Sequence, residues 1–257
     1  MSGEEDLVHL QLRDHVATIT LDSPQNRNAL SRRLVTELED HLTTADMSEE
    51  VRVIVLTHTG GTFCAGADLT EAVESGMEEG TRGLLRLLRR VVTLTTPVVA
   101  VVNGHVRAGG IGLVGACDVA LVTDESTFAF SEALLGLTPA IISLTTSSRL
   151  TERDAAWTYL TGATFSGAEA ARTRLVTESV GRDRAQDRLR EVVARFAAVS
   201  PQGLRETKAL LNRPLLERID RDGEALVALS ARLFASDEAR EGMTAFREKR
   251  PPRWMAG

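Results

Sequence analysis

The sequence predicts an α/β fold, and three observations carry that expectation. Apolar, β-branched runs alternate along the chain with amphipathic helical stretches, the pattern of strand–helix units around a largely parallel sheet. Two of these runs end in loops of small residues, Cys64-Ala65-Gly66-Ala67-Asp68 and Ala108-Gly109-Gly110. From Thr151 onward the pattern is helical almost throughout, so a helical region follows the strand-bearing part.

Taken in order, Leu7 to Leu12 and His15 to Leu21 read as a hairpin about Arg13-Asp14. A polar turn spans Asp22 to Asn28. Ser31 then caps a helix with Leu34, Leu38 and Leu42 on one face. Arg52 to His58 is a buried strand that opens into the loop from Thr59 to Leu69. Helix is expected from Leu69 to Thr95, with a break at Gly76 or Gly80. Val98 to Val102 is a second buried strand, ended by Asn103-Gly104, and Ile111 to Ala116 a short apolar helix. Val119 to Thr123 is a third strand, and Thr127 to Glu132 is extended. Helix resumes near Ala140. A short strand at Leu175 to Val180, an amphipathic helix from Asp183 to Ala198 and a helix starting at Pro201 complete the pattern, with further helix to about Lys249.

Composition narrows the function classes. With 43% hydrophobic and 26% charged residues the chain is an ordinary globular protein with a sizeable core. Its formal net charge of −6 argues against a nucleic-acid or membrane-surface binder. The acidic start, MSGEEDLVHL, lacks an apolar signal region, and no apolar run approaches a membrane span, so a cytoplasmic location is expected. Cys64 and Cys117 sit in apolar surroundings and read as reduced core residues. The five histidines are scattered, with no metal-ligand spacing. Arginine far outnumbers lysine, which is present only as Lys208 and Lys249. That imbalance reads as compositional bias.

The chemistry is expected at the glycine loops. A strand that delivers glycines to a helix N-terminus presents unpartnered N–H groups and the positive end of the helix dipole to negative charge. Gly110, Gly112 and Gly115 match G-x-G-x-x-G, which raises a dinucleotide site. The match fails on geometry: Asn103 to Gly109 separates it from its strand, and Cys117-Asp118 opens the next strand after about two helical turns. The two small-residue loops together suggest a different use. One backbone N–H from each, converging on one oxygen, makes an oxyanion hole.

At these residues the sequence resembles the crotonase family, the enoyl-CoA hydratase/isomerase superfamily. The matching pieces are Asn26-Arg27-Asn28-Ala29-Leu30, the run from Gly61 to Leu69, Val102 to His105 with Gly109-Gly110, Cys117-Asp118, Phe128 to Glu132, Leu135 to Leu137 and Phe246 to Arg250. They occur in the family's order and cover nearly the whole chain. The resemblance implies a spiral of ββα units over residues 1–195 and a helical trimerisation region over residues 196–257, assembled as a homotrimer or hexamer. It implies an acyl-CoA thioester substrate, with coenzyme A carried as part of that substrate and no separate cofactor or metal.

By position in the motifs, the resemblance implies that Ala67 and Gly109 supply the oxyanion-hole N–H groups and that Glu132 is the acid/base. Asn26, Arg27, Asn28, Ala29 and Leu30, with the backbone of Ala65, Gly66, Asp68 and Leu69, would hold the CoA nucleotide and pantetheine. Gly110 and Gly112 would border the acyl group, and Phe246 or Lys249 would reach a neighbour's CoA. The sequence departs from the family in one place: hydratases commonly use two glutamates, and the first position falls on Gly112. Three readings follow. Glu132 alone runs a hydratase with one ordered water, Gly112 making room for a branched or dicarboxylic acyl group; or Glu132 shuttles a proton to move a double bond; or the chain binds acyl-CoA with little turnover. His105 is read as a packing or hydrogen-bonding residue, Asp68, Glu71 and Glu74 as a solvated helix start, and Cys64 as inert. Arg107 faces either a CoA phosphate or solvent.

Overall fold

The computed structural model describes residues 5–68, 71 and 77–255; Leu69, Glu74 and Gly76 lie outside them. The hairpin is present as β1 (Val8–Arg13) and β2 (Val16–Leu21), turned by Asp14 and His15 with φ of 49° and 66°. Strands β3 (Val53–His58), β5 (Val98–Val102), β7 (Val119–Thr123) and β10 (Glu178–Val180) extend it into one sheet of order β1-β2-β3-β5-β7-β10, parallel from β2 onward. Their near-continuous Val/Ile/Leu content follows from this placement, since strands of a parallel sheet covered on both faces have no solvent face to supply polar residues.

A second sheet, of order β4-β6-β8-β9, is the feature the sequence conceals. It comprises β4 (Thr62–Cys64), β6 (His105–Arg107), β8 (Thr127–Ala129) and β9 (Phe165–Ser166). Two of these strands lie in segments that read as loops. Each is too short for a period-2 pattern to register. Successive turns of the chain place one strand in each sheet: β3 then β4, β5 then β6, β7 then β8. A helix returns the chain after each pair, α2 (Met77–Thr93) after the first and α3 (Gly109–Ala116) after the second. This is the expected spiral of ββα units.

Helix α1 (Arg32–Met47) starts where expected, the Ser31 hydroxyl accepting from the Leu34 N–H at 3.2 Å. After β8 come a 3-10 turn at Ser131–Leu135 and α4 (Ala140–Thr146), α5 (Glu152–Thr161), α6 (Gly167–Arg172) and α7 (Ala185–Ala197). Two C-terminal helices follow, α8 (Pro201–Phe234) and α9 (Asp237–Glu248). The expected boundary at 195/196 falls in the last turn of α7. Beyond it, Leu215, Ile219 and Val227 of α8 belong to the same buried cluster as the sheets. Lys208 is part of that attachment and not a compositional accident. Its ammonium is buried, 2.8 Å from Asp118 Oδ2, and donates to the carbonyls of Val91 and Thr96.

Candidate active site

Strands β4, β6 and β8 are neighbours and parallel, so their C-terminal ends lie along one edge of the second sheet. Each end delivers one element of the site. The end of β4 leads into 65–68, the end of β6 into α3, and the end of β8 into the Ser131–Leu135 turn. Ligands in α/β sheets bind outside the carboxyl ends of strands because loops there are free to vary over a rigid frame. Ala67, Gly109 and Glu132, far apart in the chain, line one cavity of about 320 Å³.

The two loops are pressed together at Gly66. Its φ is +94°, and a Cβ there would lie 2.8 Å from Ala108 Cβ and 3.4 Å from Gly109 N. Only glycine permits both the dihedral and the approach. Gly66 also accepts from the Leu30 N–H at 2.8 Å through its carbonyl, within an isolated parallel bridge between Leu30 and Ala67. In that pattern the bonds run to the neighbours of Ala67, so its own N–H faces the other side of the segment. Gly109 is the first residue of α3, so its N–H has no intrahelical acceptor and sits at the positive end of the dipole. Ala108, before it, holds φ of +44° and ψ of −120°, a strained conformation for a residue with a Cβ. This strain turns the chain abruptly into the helix.

Glu132 lies in the first turn after β8. Its Oε2 is buried and accepts no hydrogen bond from the described residues. Burial pushes its carboxyl up to about 7, with its own backbone N–H pulling weakly the other way. The walls beside it are apolar and include Leu135, Leu137, Pro139, Ile141 and Ile142. A carboxyl poised near neutrality in a cavity can both take and return a proton at ordinary pH.

The segment 26–32 forms the other wall and is tied to Ala65, Gly66, Asp68 and Glu71. Ala65 N donates to the Arg27 carbonyl at 3.1 Å, Leu30 N to Gly66, Asn26 Nδ2 to Asp68 Oδ2 at 2.7 Å, and Arg32 N to Glu71 Oε2 at 3.0 Å. Asn26, Arg27, Ala29, Leu30, Ala65 and Asp68 all line the cavity. Glu71 was read as part of a solvated helix start. Its side chain is 38% exposed, and its carboxylate also accepts from Arg32 N at the start of α1.

Other expected site residues have different work. Asn28 is fully buried, accepting from Ser23 N and donating to the carbonyls of Thr59 and Thr62, so it pins the loop and does not line the cavity. Gly110 packs on Cys64, and Gly115 on Thr145 and Thr146. Gly112 leaves no space for an acyl group, because Ile142 occupies it: a Cβ on Gly112 would lie 2.5 Å from Ile142 Cγ2. Lys249 is exposed at the C-terminal cap of α9 and lies outside the cavity. Phe246 lines the cavity of its own chain.

Arg107 turns back along β8. It donates to the Thr127 carbonyl at 2.7 Å and the Thr127 hydroxyl at 3.0 Å. His105 makes a 2.7 Å hydrogen bond to the same hydroxyl, the bonding role expected for it. Burial pushes the thiols of Cys64 and Cys117 up to about 12, which keeps both inert.

Sequence reasoning missed Leu84 of α2 and Ser230 and Phe234 of α8, which close the cavity from helices distant in the chain. It also missed Tyr159. That ring lies 4.4 Å from Phe130, and its hydroxyl is 2.5 Å from Thr146 Oγ1. Burial pushes the phenol up to about 12, and the charge of Glu132 adds to the shift. No spacing in the sequence marks any of these positions. Among the described residues no cluster of His, Cys, Asp and Glu is suited to a metal ion, and no helix is long and apolar enough to cross a membrane.

Paired small-residue loops at neighbouring strand ends, with a buried carboxyl beside them on a two-sheet spiral, define a crotonase-type fold and site. Residues 11–257 match the family model described as Enoyl-CoA hydratase/isomerase, and the chain belongs to that family of enzymes, of lyase type. A crystal structure of an enoyl-CoA hydratase from Mycobacterium avium superposes with a TM-score of 0.91 at 47% identity, covering 98% of this chain and 100% of that one. The mevalonyl-coenzyme A hydratase sidH of Aspergillus fumigatus is 32% identical over 93% of this chain and 91% of its own. The short-chain-enoyl-CoA hydratase of Clostridium acetobutylicum is 29% identical over 95% of each chain.

Proposed function

We propose that the chain hydrates a 2-enoyl-CoA thioester, with Glu132 as the acid/base and the N–H groups of Ala67 and Gly109 as the oxyanion hole. The observation that carries this reading is the delivery of all three to one cavity by the ends of β4, β6 and β8. The thioester oxygen sits between the two N–H groups. The Glu132 carboxylate takes a proton from water as the water oxygen bonds to C3 of the substrate. Electron density moves through C2 to the thioester oxygen, which the two N–H groups stabilise as it becomes an enolate. The carboxylic acid then returns its proton to C2, leaving a 3-hydroxyacyl-CoA and the starting carboxylate. Segments 26–32 and 65–68 hold the CoA moiety, which arrives as part of the substrate, and no further cofactor enters.

The test is loss of the conjugated-thioester absorbance of 2-enoyl-CoA esters on adding enzyme, with the product identified by mass. Absence of hydration across short, branched and dicarboxylic esters rejects the reading. A second reading is favoured by the filled space at Gly112, which leaves no room for a second carboxylate at that position beside Glu132. A single carboxylate can move a proton between C4 and C2 and so shift a double bond. A 3-enoyl-CoA that becomes conjugated without hydration selects this isomerase. A homotrimer or hexamer in the cytoplasm remains part of the proposal, and light scattering on the purified protein tests the assembly.

A further inference from the structure

Helix α9 is joined to the turn that carries Glu132 by backbone against backbone. A Cβ on Gly242 would lie 2.6 Å from Leu135 C and O and 2.7 Å from Leu135 Cα. The contact is reciprocal one residue on, where a Cβ on Gly136 would lie 2.8 Å from Glu238 C and 2.9 Å from Ala239 N. Gly136 closes the Ser131–Leu135 turn in the left-handed region, at φ of +72°. At both positions the nearest atoms across the contact are backbone, which cannot swing aside, so a shift of one element moves the other.

The helix is held at both ends. The Ser236 hydroxyl accepts from Ala239 N at 3.1 Å at its start. Past its end, Arg250 Nη1 reaches Glu241 Oε1 at 2.7 Å and Arg253 N donates to the same oxygen at 3.0 Å, folding the tail back onto the helix. One turn beyond Gly242, Phe246 lines the cavity. One helix therefore touches both the ligand space and the turn that aims the carboxyl.

We propose that α9 is the strut that aims Glu132, with Gly242 as the positioning residue, an inference that rests on Glu132 being the acid/base. The turn takes its position from the close approach at Gly242 and Gly136, and Oε2 keeps its dry setting because the strut holds Leu135 in place. Phe246 contributes to ligand contact separately.

The test pairs Gly242→Ala with Phe246→Ala. Each is read by steady-state kinetics across pH and by the ¹³C carboxyl resonance of Glu132, assigned with Glu132→Gln. Gly242→Ala forces the turn outward. It is expected to lower kcat by roughly 10–100-fold, the scale of an ångström-sized misplacement, while KM stays within about 3-fold. The Glu132 titration and the pH limb it controls move toward the ordinary carboxylate range as water reaches Oε2. Phe246→Ala is expected to raise KM and leave the Glu132 titration in place.

A folded Gly242→Ala protein with wild-type kcat and an unmoved Glu132 titration overturns the proposal. If Gly242→Ala does not fold, Ser236→Ala removes the hydroxyl that caps α9 and loosens the strut instead of forcing it. A smaller fall in kcat with the same direction of titration shift then supports the strut, and no change in either overturns it. The carboxyl resonance titrates whether or not turnover occurs. A wild-type enzyme inert toward every enoyl-CoA therefore sinks the functional reading, whereas an unmoved resonance in the variants sinks this one.

Discussion

Ile142 stands in the space that a side chain at position 112 would need. A Cβ on Gly112 would approach Ile142 Cγ2 to 2.5 Å, Ile142 Cβ to 2.9 Å and Ile142 Cα to 3.3 Å. Branched carbon and backbone lie there, not the tip of a flexible chain, so the neighbour cannot swing aside. Gly112→Ala is therefore expected to destabilise the protein by about 1–3 kcal/mol, the usual cost of overpacking a filled core. Gly112→Glu alone is expected to fold poorly. Combined with Ile142→Ala it regains folding, because the second change vacates the first one's volume. Thermal unfolding of the single and double variants measures this, and additive losses would show that the two residues do not compete for one space.

The approach of the two oxyanion loops gives a second expectation. Gly66→Ala places a methyl against Ala108 at a φ of +94°. It must either strain the backbone or part the loops, and either result moves the Ala67 and Gly109 N–H groups relative to one another. Losing one well-placed donor in such a site costs on the order of 10²–10³ in kcat. The expected outcome is a fall in kcat of at least about tenfold at little-changed KM, measured on the best ester of a substrate panel. A fall in affinity alone would place the role of Gly66 in binding.

The long strands, the hairpin, the Ser31 cap and the order of the motifs were legible in the sequence because each depends on local pattern: β-branched runs, period 3.6, a hydroxyl before a helix. The second sheet was not, because β4 and β6 are three residues each and form only by pairing across the spiral. The same distinction runs through the site. Ala67, Gly109 and Glu132 were found from motifs, and they do share a cavity. Asn28 lay in a matching motif yet proved to be a buried pin, since a motif records that a residue is needed and not whether ligand or backbone needs it. Gly112 was read as empty space because sequence shows the missing side chain but not the Ile142 that replaces it.

Lys208 carries an expectation about stability alone. Its ammonium is buried beside Asp118, whose carboxylate also accepts from Val98 N at 2.8 Å and from Asn212 Nδ2 at 3.1 Å. Lys208→Met leaves that carboxylate without its cation and frees two carbonyl acceptors. Breaking a buried pair from one side costs roughly 3–5 kcal/mol. The double change Lys208→Met with Asp118→Asn is expected to recover part of the loss, because no unpaired charge remains. Denaturant unfolding measures both, and kcat of the folded fraction should stay at the wild-type value, since neither residue lines the cavity.

Glu132 links the chemistry to stability through its raised carboxyl. Unfolded, it titrates near 4.5; folded, near 7. Between those values the folded protein binds more protons than the unfolded one, so this group's contribution to stability falls as pH rises from about 4.5 to about 7 and stays unfavourable above. Glu132→Gln keeps the shape and removes the ionisation. It is expected to stabilise the protein by on the order of 1–3 kcal/mol at pH 8, and the gain should vanish as pH falls below about 4.5, where the carboxyl becomes protonated in the folded and unfolded states alike. In hydration the carboxylate is the active form, so wild-type kcat/KM should rise with pH and level off above an apparent pKa of about 7, while Glu132→Gln loses at least about 10²-fold. Parallel thermal melts and pH–rate profiles check the two halves together. A variant that loses activity without gaining stability at high pH would mean that the carboxyl is better solvated than its buried Oε2 indicates.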